Sequence, residues 1–319
     1  MLASRPALFC YVDWRHAFAQ ISIASATIML FVLLASSGVE AKTCEQNEQH
    51  SDSKPAAAPY YDFGTSNETA QQHYRRGWIE ILQYGRWMEA ERQYRLAVAA
   101  DPNFFIAKSV LGRITSSKSE RAQLYSDVER HSDLVDDAGQ LLLRTYQRTL
   151  ELFELRESGN PIPEGFREDM AAIAERDYAQ FLKQYPDEYS VNIEYIEWVH
   201  ARRGPAAALE EVERLNARDV GRLSFSYFPA YFHAELGNFE VAHEMAHDFA
   251  RAMDETAPQP HYLRAFIAFK EGDLLRAQHD VERALGLDDR HLLAERLRAQ
   301  IEAALRDHQA GATTAGPTD

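Results

Sequence analysis

Cysteine is nearly absent: the 319-residue chain has two, Cys10 and Cys44. One pair cannot build the multi-bridge framework that holds small core-poor domains together. Glycine and proline are sparse, at 15 and 12, which excludes collagen-like, low-complexity and turn-dense all-β architectures. Positive charge is in deficit, with 34 Lys and Arg against 49 Asp and Glu and a formal net charge of −15. Beyond isolated pairs such as Arg75-Arg76 and Arg202-Arg203, no basic stripe offsets that balance. A phosphate backbone is repelled by such a field, so a nucleic-acid partner is not expected. Also missing are a phosphate-cradling glycine loop, a nucleophile elbow and a dense Cys/His ligand set. Cofactors are accordingly not expected.

Long apolar runs are missing as well, with one exception. Residues 1–41 carry Arg5 and Arg15 ahead of the run from Ile21 to Ala35, and small residues lead to Val39-Glu40-Ala41. This is the pattern of a signal peptide cleaved after Ala41. The stretch 17–39 is also long enough to remain as an N-terminal membrane anchor. Either reading sends the rest of the chain across the membrane, to a periplasmic or extracellular location. Cleavage leaves Cys44 as the single cysteine, and Ala41-Lys42-Thr43 before it is a poor match to a lipoprotein signal.

What is present is helical material. Hydrophobic residues make up 45% of the chain, with Ala, Leu, Glu and Arg recurring throughout. Residues 42–66 are polar and Pro/Ala-rich without a period and read as a flexible linker. Residues 309–319, ending in AGATTAGPTD, read as a disordered tail. Between them, 67–308 is almost continuously helical in pattern, cut by short Gly, Pro and Asn/Asp breaks.

The breaks have a rhythm. Segments 84–102, 201–216, 234–250 and 268–288 share a tight turn with Gly followed by an Ala-containing helix. Ala174, Ala208 and Ala242 recur at intervals of 34 residues, with Ala277 following 35 later. A fixed period of this size marks stacked supersecondary units. The residues resemble the tetratricopeptide repeat (TPR) family. Its second-helix pattern of small, large and small residues followed by proline is matched by Ala90, Tyr94, Ala97 and Pro102. Partial matches are Ala242, Ala246, Phe249 and Asp254; Ala277, Val281, Ala284 and Asp289; and Ala174, Tyr178 and Pro186. The resemblance implies an all-α, TPR-like α-solenoid of antiparallel helix pairs, with 105–165 as degenerate repeats or an insertion. It also implies a protein-binding scaffold and not an enzyme.

Two sets of candidate residues follow. In the TPR register the inner, partner-facing slots fall on Arg75 and Ile79 in the first unit. They fall on Tyr227 and Tyr231 in a later one, and on Tyr262, Phe266, Phe269 and Lys270 in the next. Aromatics there suit a peptide or helix of a partner protein, and they equally suit core packing between helices. The acidic balance favours a partner with basic residues. The second set is His243-Glu244-x-x-His247, which has the spacing by which two histidines hold zinc and a glutamate activates water. A zinc-dependent hydrolase is therefore the alternative from another class, with His261 and Glu271 as possible further ligands. The same helix carries the close-packed slots Ala242 and Ala246, which makes solvated-face histidines the plainer account. A self-associating structural protein is the third reading. Asn67-Glu68-Thr69 matches a glycosylation acceptor by chance composition.

Overall fold

The 3.6-residue apolar period sets most of the chain as helix. In the computed structural model, which describes residues 60–216 and 227–314, thirteen α-helices occur and no strand is found among the described residues. They are α1 (Glu68–Ile79), α2 (Trp87–Ala100), α3 (Phe105–Ile114), α4 (Lys118–His131), α5 (Asp137–Glu157), α6 (Phe166–Gln184) and α7 (Tyr189–Arg203). After these come α8 (Pro205–Asn216), α9 (Tyr227–Glu235), α10 (Phe239–Ala252), α11 (Gln259–Glu271), α12 (Leu274–Leu287) and α13 (Leu292–Thr314). Consecutive helices pack as pairs, α1 with α2 through to α11 with α12, and α13 lies against α12 and α11. The described residues all belong to one compact unit, an all-α stack of helix pairs.

The repeat slots explain the pairing. Ala90, Tyr94, Ala97, Ala174, Tyr178, Ala208, Ala242, Ala277, Val281 and Ala284 are all fully buried. Small residues let the partner helix come close, and the large one fills the space left beside them. At Gly77 a Cβ would stand 2.7 Å from the Tyr94 ring, so α1 can approach α2 only because that position is bare. Gly237 and Gly272 turn the chain within their pairs with φ of 82° and 87°, a conformation that costs other residues energy. Helix starts are capped by Asn67, Ser117, Asp136 and Asp273, each accepting a backbone N–H of the first turn. Asn67 also donates from Nδ2 to the Ala100 carbonyl at 2.8 Å, so the residue of the glycosylation match is a structural cap.

Two boundaries move. Residues 60–66 do not behave as linker: Tyr61 and Phe63 are 3% and 1% exposed. The Tyr61 ring meets Phe63, Phe181 and Tyr185 with centroids 5.0–5.2 Å away. Its N–H donates to Glu188 at 2.7 Å and its carbonyl accepts from Arg75 at 2.6 Å. A segment too polar on average to look folded is held by two aromatics, Phe63 against Tyr74 of α1 and Tyr61 against Phe181 of α6. At the other end α13 continues to Thr314, past the tail boundary placed at 309, although Gly311, Thr313 and Thr314 are weak helix formers. The section 105–165 resolves into pairs too. α3 packs on α4 and α5 packs on α6, so helix pairs continue through this section, with a loop before Phe166. Residues 1–59 lie outside the described residues, and with them the signal-peptide or anchor segment and the linker to residue 59. The end of the tail, residues 315–319, lies outside them as well.

The ends of the stack meet. Asp288, in the loop before α13, accepts the Met88 N–H at 3.1 Å and the Arg290 N–H at 2.9 Å. The α2 helix has no side-chain cap of its own at Arg86, so the carboxylate of Asp288 supplies from 200 residues away what a local Ser or Asp usually supplies. Arg290 pairs with Glu91 and donates to the Ile114 carbonyl at 2.7 Å, which satisfies the C-terminal end of α3. Arg86 reaches Asp254 at 2.6 Å and Thr256 at 2.7 Å. At Gly85, a Cβ would meet Gln259 and His291 at 2.7 Å.

Two outcomes are expected. Phe63→Ala should cost about 3–5 kcal/mol in urea unfolding, as for other buried aromatics; a shift under about 0.5 kcal/mol would mean that 60–66 is loose chain. Asp288→Ala should cost about 1–2 kcal/mol and speed hydrogen exchange at the Met88 amide. Unchanged exchange there would disprove capping from the far end.

Candidate functional site

Closure creates an interior. Inside it lies a cavity with about 50 Å³ open to water-sized occupants, enough for several water molecules at roughly 10–15 Å³ each. First helices of the pairs supply most of its wall: Trp78 ends α1, Val110 and Arg113 lie on α3, and Glu194 and Glu197 on α7. Tyr227 of α9 and Gln259 of α11 continue the wall, and Trp87 of α2 and Leu293 of α13 close it.

The polar part of this wall is a buried network. Arg113 donates to Glu194 Oε1 at 2.8 Å, and the Tyr146 hydroxyl donates to Glu194 Oε2 at 2.6 Å. The guanidinium also sits 4.8 Å over the Tyr146 ring. Burial lowers the affinity of Arg113 for its proton most, and the Glu194 charge, the Tyr178 and Tyr146 hydroxyls and the hydrogen bond to Glu194 together more than offset this, so the guanidinium stays charged. Both of Glu194's oxygens are thereby engaged. A pair this deep is costly to break, since either partner alone is a charge out of water.

Glu197 lies one helical turn further along α7. It has no hydrogen bond or ion pair to another described residue, and its carboxyl is pushed up to about 8 by loss of solvent and then by the Glu194 charge, with Arg113 opposing. It is partly accessible because it faces the cavity. Tyr227, buried across from it, is held well above the ordinary phenol value, first by burial and next by the Glu197 charge.

His291 stands at the closing seam. Its Nε2 lies 3.1 Å from Gln259 Oε1, and its Nδ1 accepts the Ala294 N–H at 3.1 Å, capping α13. Both nitrogens are occupied in the neutral ring, and burial pulls the imidazole down to about 3. Its stability contribution is lost as pH falls below the ordinary value of 6.5.

The residues selected from the repeat register are distributed unevenly. Tyr227, Tyr231, Tyr262 and Phe266 are 5–7% exposed. Tyr231 stacks on Phe266 with centroids 4.0 Å apart, and Tyr262 lies 5.2 Å from the His291 ring. These four pack between helices. Arg75 is engaged by Glu188 at 2.8 Å. Ile79, Phe269 and Lys270 keep partial access, with Lys270 3.4 Å from Glu235. Of the eight, Tyr227 alone reaches the cavity wall. In the histidine motif, His243 contacts Glu271 at 2.9 Å while His247 is exposed, 3.8 Å from Asp248. His261 stands beside Arg264, at 2.6 Å, and is pulled down to about 4 by burial and then by that charge. Among the described residues no group of three His, Cys, Asp or Glu is arranged to hold a metal ion.

Reasoning from repeats missed Arg113, Glu194 and Glu197. The available signal was polar residues in a helix without an amphipathic side: Ser190, Asn192 and Glu194 are all buried on α7.

No family model matches the chain, and no curated protein matches it. Among solved structures, a tetratricopeptide repeat protein from Parabacteroides merdae ATCC 43184 is similar, with 14% identity, a TM-score of 0.39 and coverage of 79% of this chain and 94% of that one.

The raised carboxyl yields a pH test. Between about 4.5 and 8 the folded state holds the Glu197 proton and the unfolded chain has released it. Unfolding therefore releases a proton, and this group's effect is to lower stability as pH rises across that window, levelling off above it. Glu197→Gln cannot ionise. Its melting temperature should exceed the parent's by a margin that widens from pH 5 to pH 8 and reaches several degrees, at ~2–4 °C per kcal/mol for a chain of this size. A constant offset would mean that Glu197 ionises in the fold as it does in the unfolded chain.

Proposed function

We propose that this chain is an extracytoplasmic scaffold that holds a segment of a partner protein against the inner side of its helix-pair stack. The carrying observation is the stack of helix pairs, whose first helices α1 and α11 keep Ile79, Phe269 and Lys270 accessible outside the wall of the closed cavity. Stacked helix pairs use their inner faces to engage other chains. The net charge of −15 favours a partner segment with basic residues. Residues 1–41 support placement outside the cytoplasm, by export or by an N-terminal anchor. No catalytic role is assigned to any residue.

Burial narrows the contact set. Tyr231 and Phe266 occupy each other's faces, and Arg75 is committed to Glu188. Ile79, Phe269 and Lys270 keep the access that a partner needs.

The test is capture from a membrane-and-envelope fraction with the intact protein, compared with Ile79→Ala and Phe269→Ala forms. A specific prey bound by the parent should be recovered at least about tenfold less by one of them, equivalent to ~1.4 kcal/mol, with melting temperatures within a few degrees of the parent. Equal recovery by all three forms would remove these positions from the interface. Absence of any specific prey would remove the scaffold reading itself.

A further inference from the structure

Charge accounting inside the cavity leaves one group over. Arg113 is matched by Glu194, so the three ionisable groups Arg113, Glu194 and Glu197 sum to one negative charge when all are ionised. Three aromatic side chains, Trp78, Trp87 and Tyr227, stand in the same wall. An aromatic face attracts a cation through its quadrupole, and it does so more strongly where water is excluded. A carboxylate beside aromatic side chains is the chemistry that selects an organic cation over a neutral molecule of the same shape. The space, about 50 Å³ for water-sized occupants, suits an ammonium head and excludes a folded segment.

We propose that the cavity is a binding site for an organic ammonium group, its positive charge opposite Glu197 and its carbon-bound surface against Trp78, Trp87 and Tyr227. The group can belong to a free small amine or to a lysine side chain, because the recognising chemistry is common to both. The site goes beyond the scaffold reading and stands without it.

Binding is coupled to a proton. Glu197 faces Glu194 on its own helix, Arg113 from α3 and Tyr227 from α9, with Tyr262 of α11 near enough to feel its charge. Burial first, and neighbouring carboxylates next, hold both tyrosines above their ordinary value. Arg113 stays charged and His291 stays neutral through the range of interest. Glu197 is thus the group whose charge changes there, its carboxyl pushed up to about 8 by burial and then by the Glu194 charge. A bound cation favours its ionised form, so the site releases a proton as it fills.

The test uses calorimetry on the intact protein with four probes: choline, its neutral isostere 3,3-dimethylbutanol, trilysine, and trilysine acetylated on its side chains. Binding of choline or of trilysine, at least tenfold tighter than its neutral counterpart, supports the site, and whichever of the two binds identifies the source. Affinity should rise by up to tenfold per pH unit from pH 6 to about 8 and then flatten. Glu197→Gln should weaken binding at least tenfold and abolish the pH slope while its melting temperature is maintained or raised. Trp78→Phe is a second variant that reports the aromatic wall, with a several-fold loss. The proposal is overturned if neutral and charged probes bind alike, if neither cation binds at millimolar concentration, or if Glu197→Gln binds as the parent does. Loss of protein capture with choline binding intact would refute the scaffold reading alone.

Discussion

The contact between the two ends of the stack governs the rest of the structure. Asp288 caps α2, Arg290 closes the end of α3, and His291 with Gln259 fills the space beside Gly85. Without these contacts, inner faces of the first helices would be solvated, as they are in a repeat stack with free ends. With them, Tyr262 packs against the His291 ring and Tyr227 faces a closed cavity, and Glu197 loses enough water to hold its proton near neutrality. Asp288 shows the competition of effects in one residue. Burial raises its carboxyl, and the backbone amides it accepts pull the other way without cancelling the shift.

How much of this was legible beforehand depends on the range of the interaction. The repeating Ala and Tyr slots are local signals of 34-residue period, and each of them is buried where the pattern placed it. The glycine turns at Gly237 and Gly272 are equally local. The degenerate section lacked the slots, yet its caps Ser117 and Asp136 mark the starts of α4 and α5 as clearly as any repeat does. Composition misled at residues 60–66, where an average over a polar stretch concealed two aromatics with a buried destination.

The interior site was not legible, for a physical reason. Arg113 and Glu194 are 81 residues apart and meet because two first helices face each other. No period links them. Register arguments also assume an open inner face, so they assigned to a partner the aromatics that the chain uses against itself. Tyr231 and Phe266 illustrate this: their spacing fits a groove, and their stacking at 4.0 Å fills it.

The seam also bears on the order of folding. An ordinary repeat array gains stability one neighbour at a time, and its early units can mature while later ones are still being made. Here the amide of Met88 finds its acceptor 200 positions downstream, a separation that slows the final step through the entropy of closing so large a loop. A chain made amino end first keeps the start of α2 without this cap until Asp288 arrives, so the opening helix pair is completed only after the pairs between have been made.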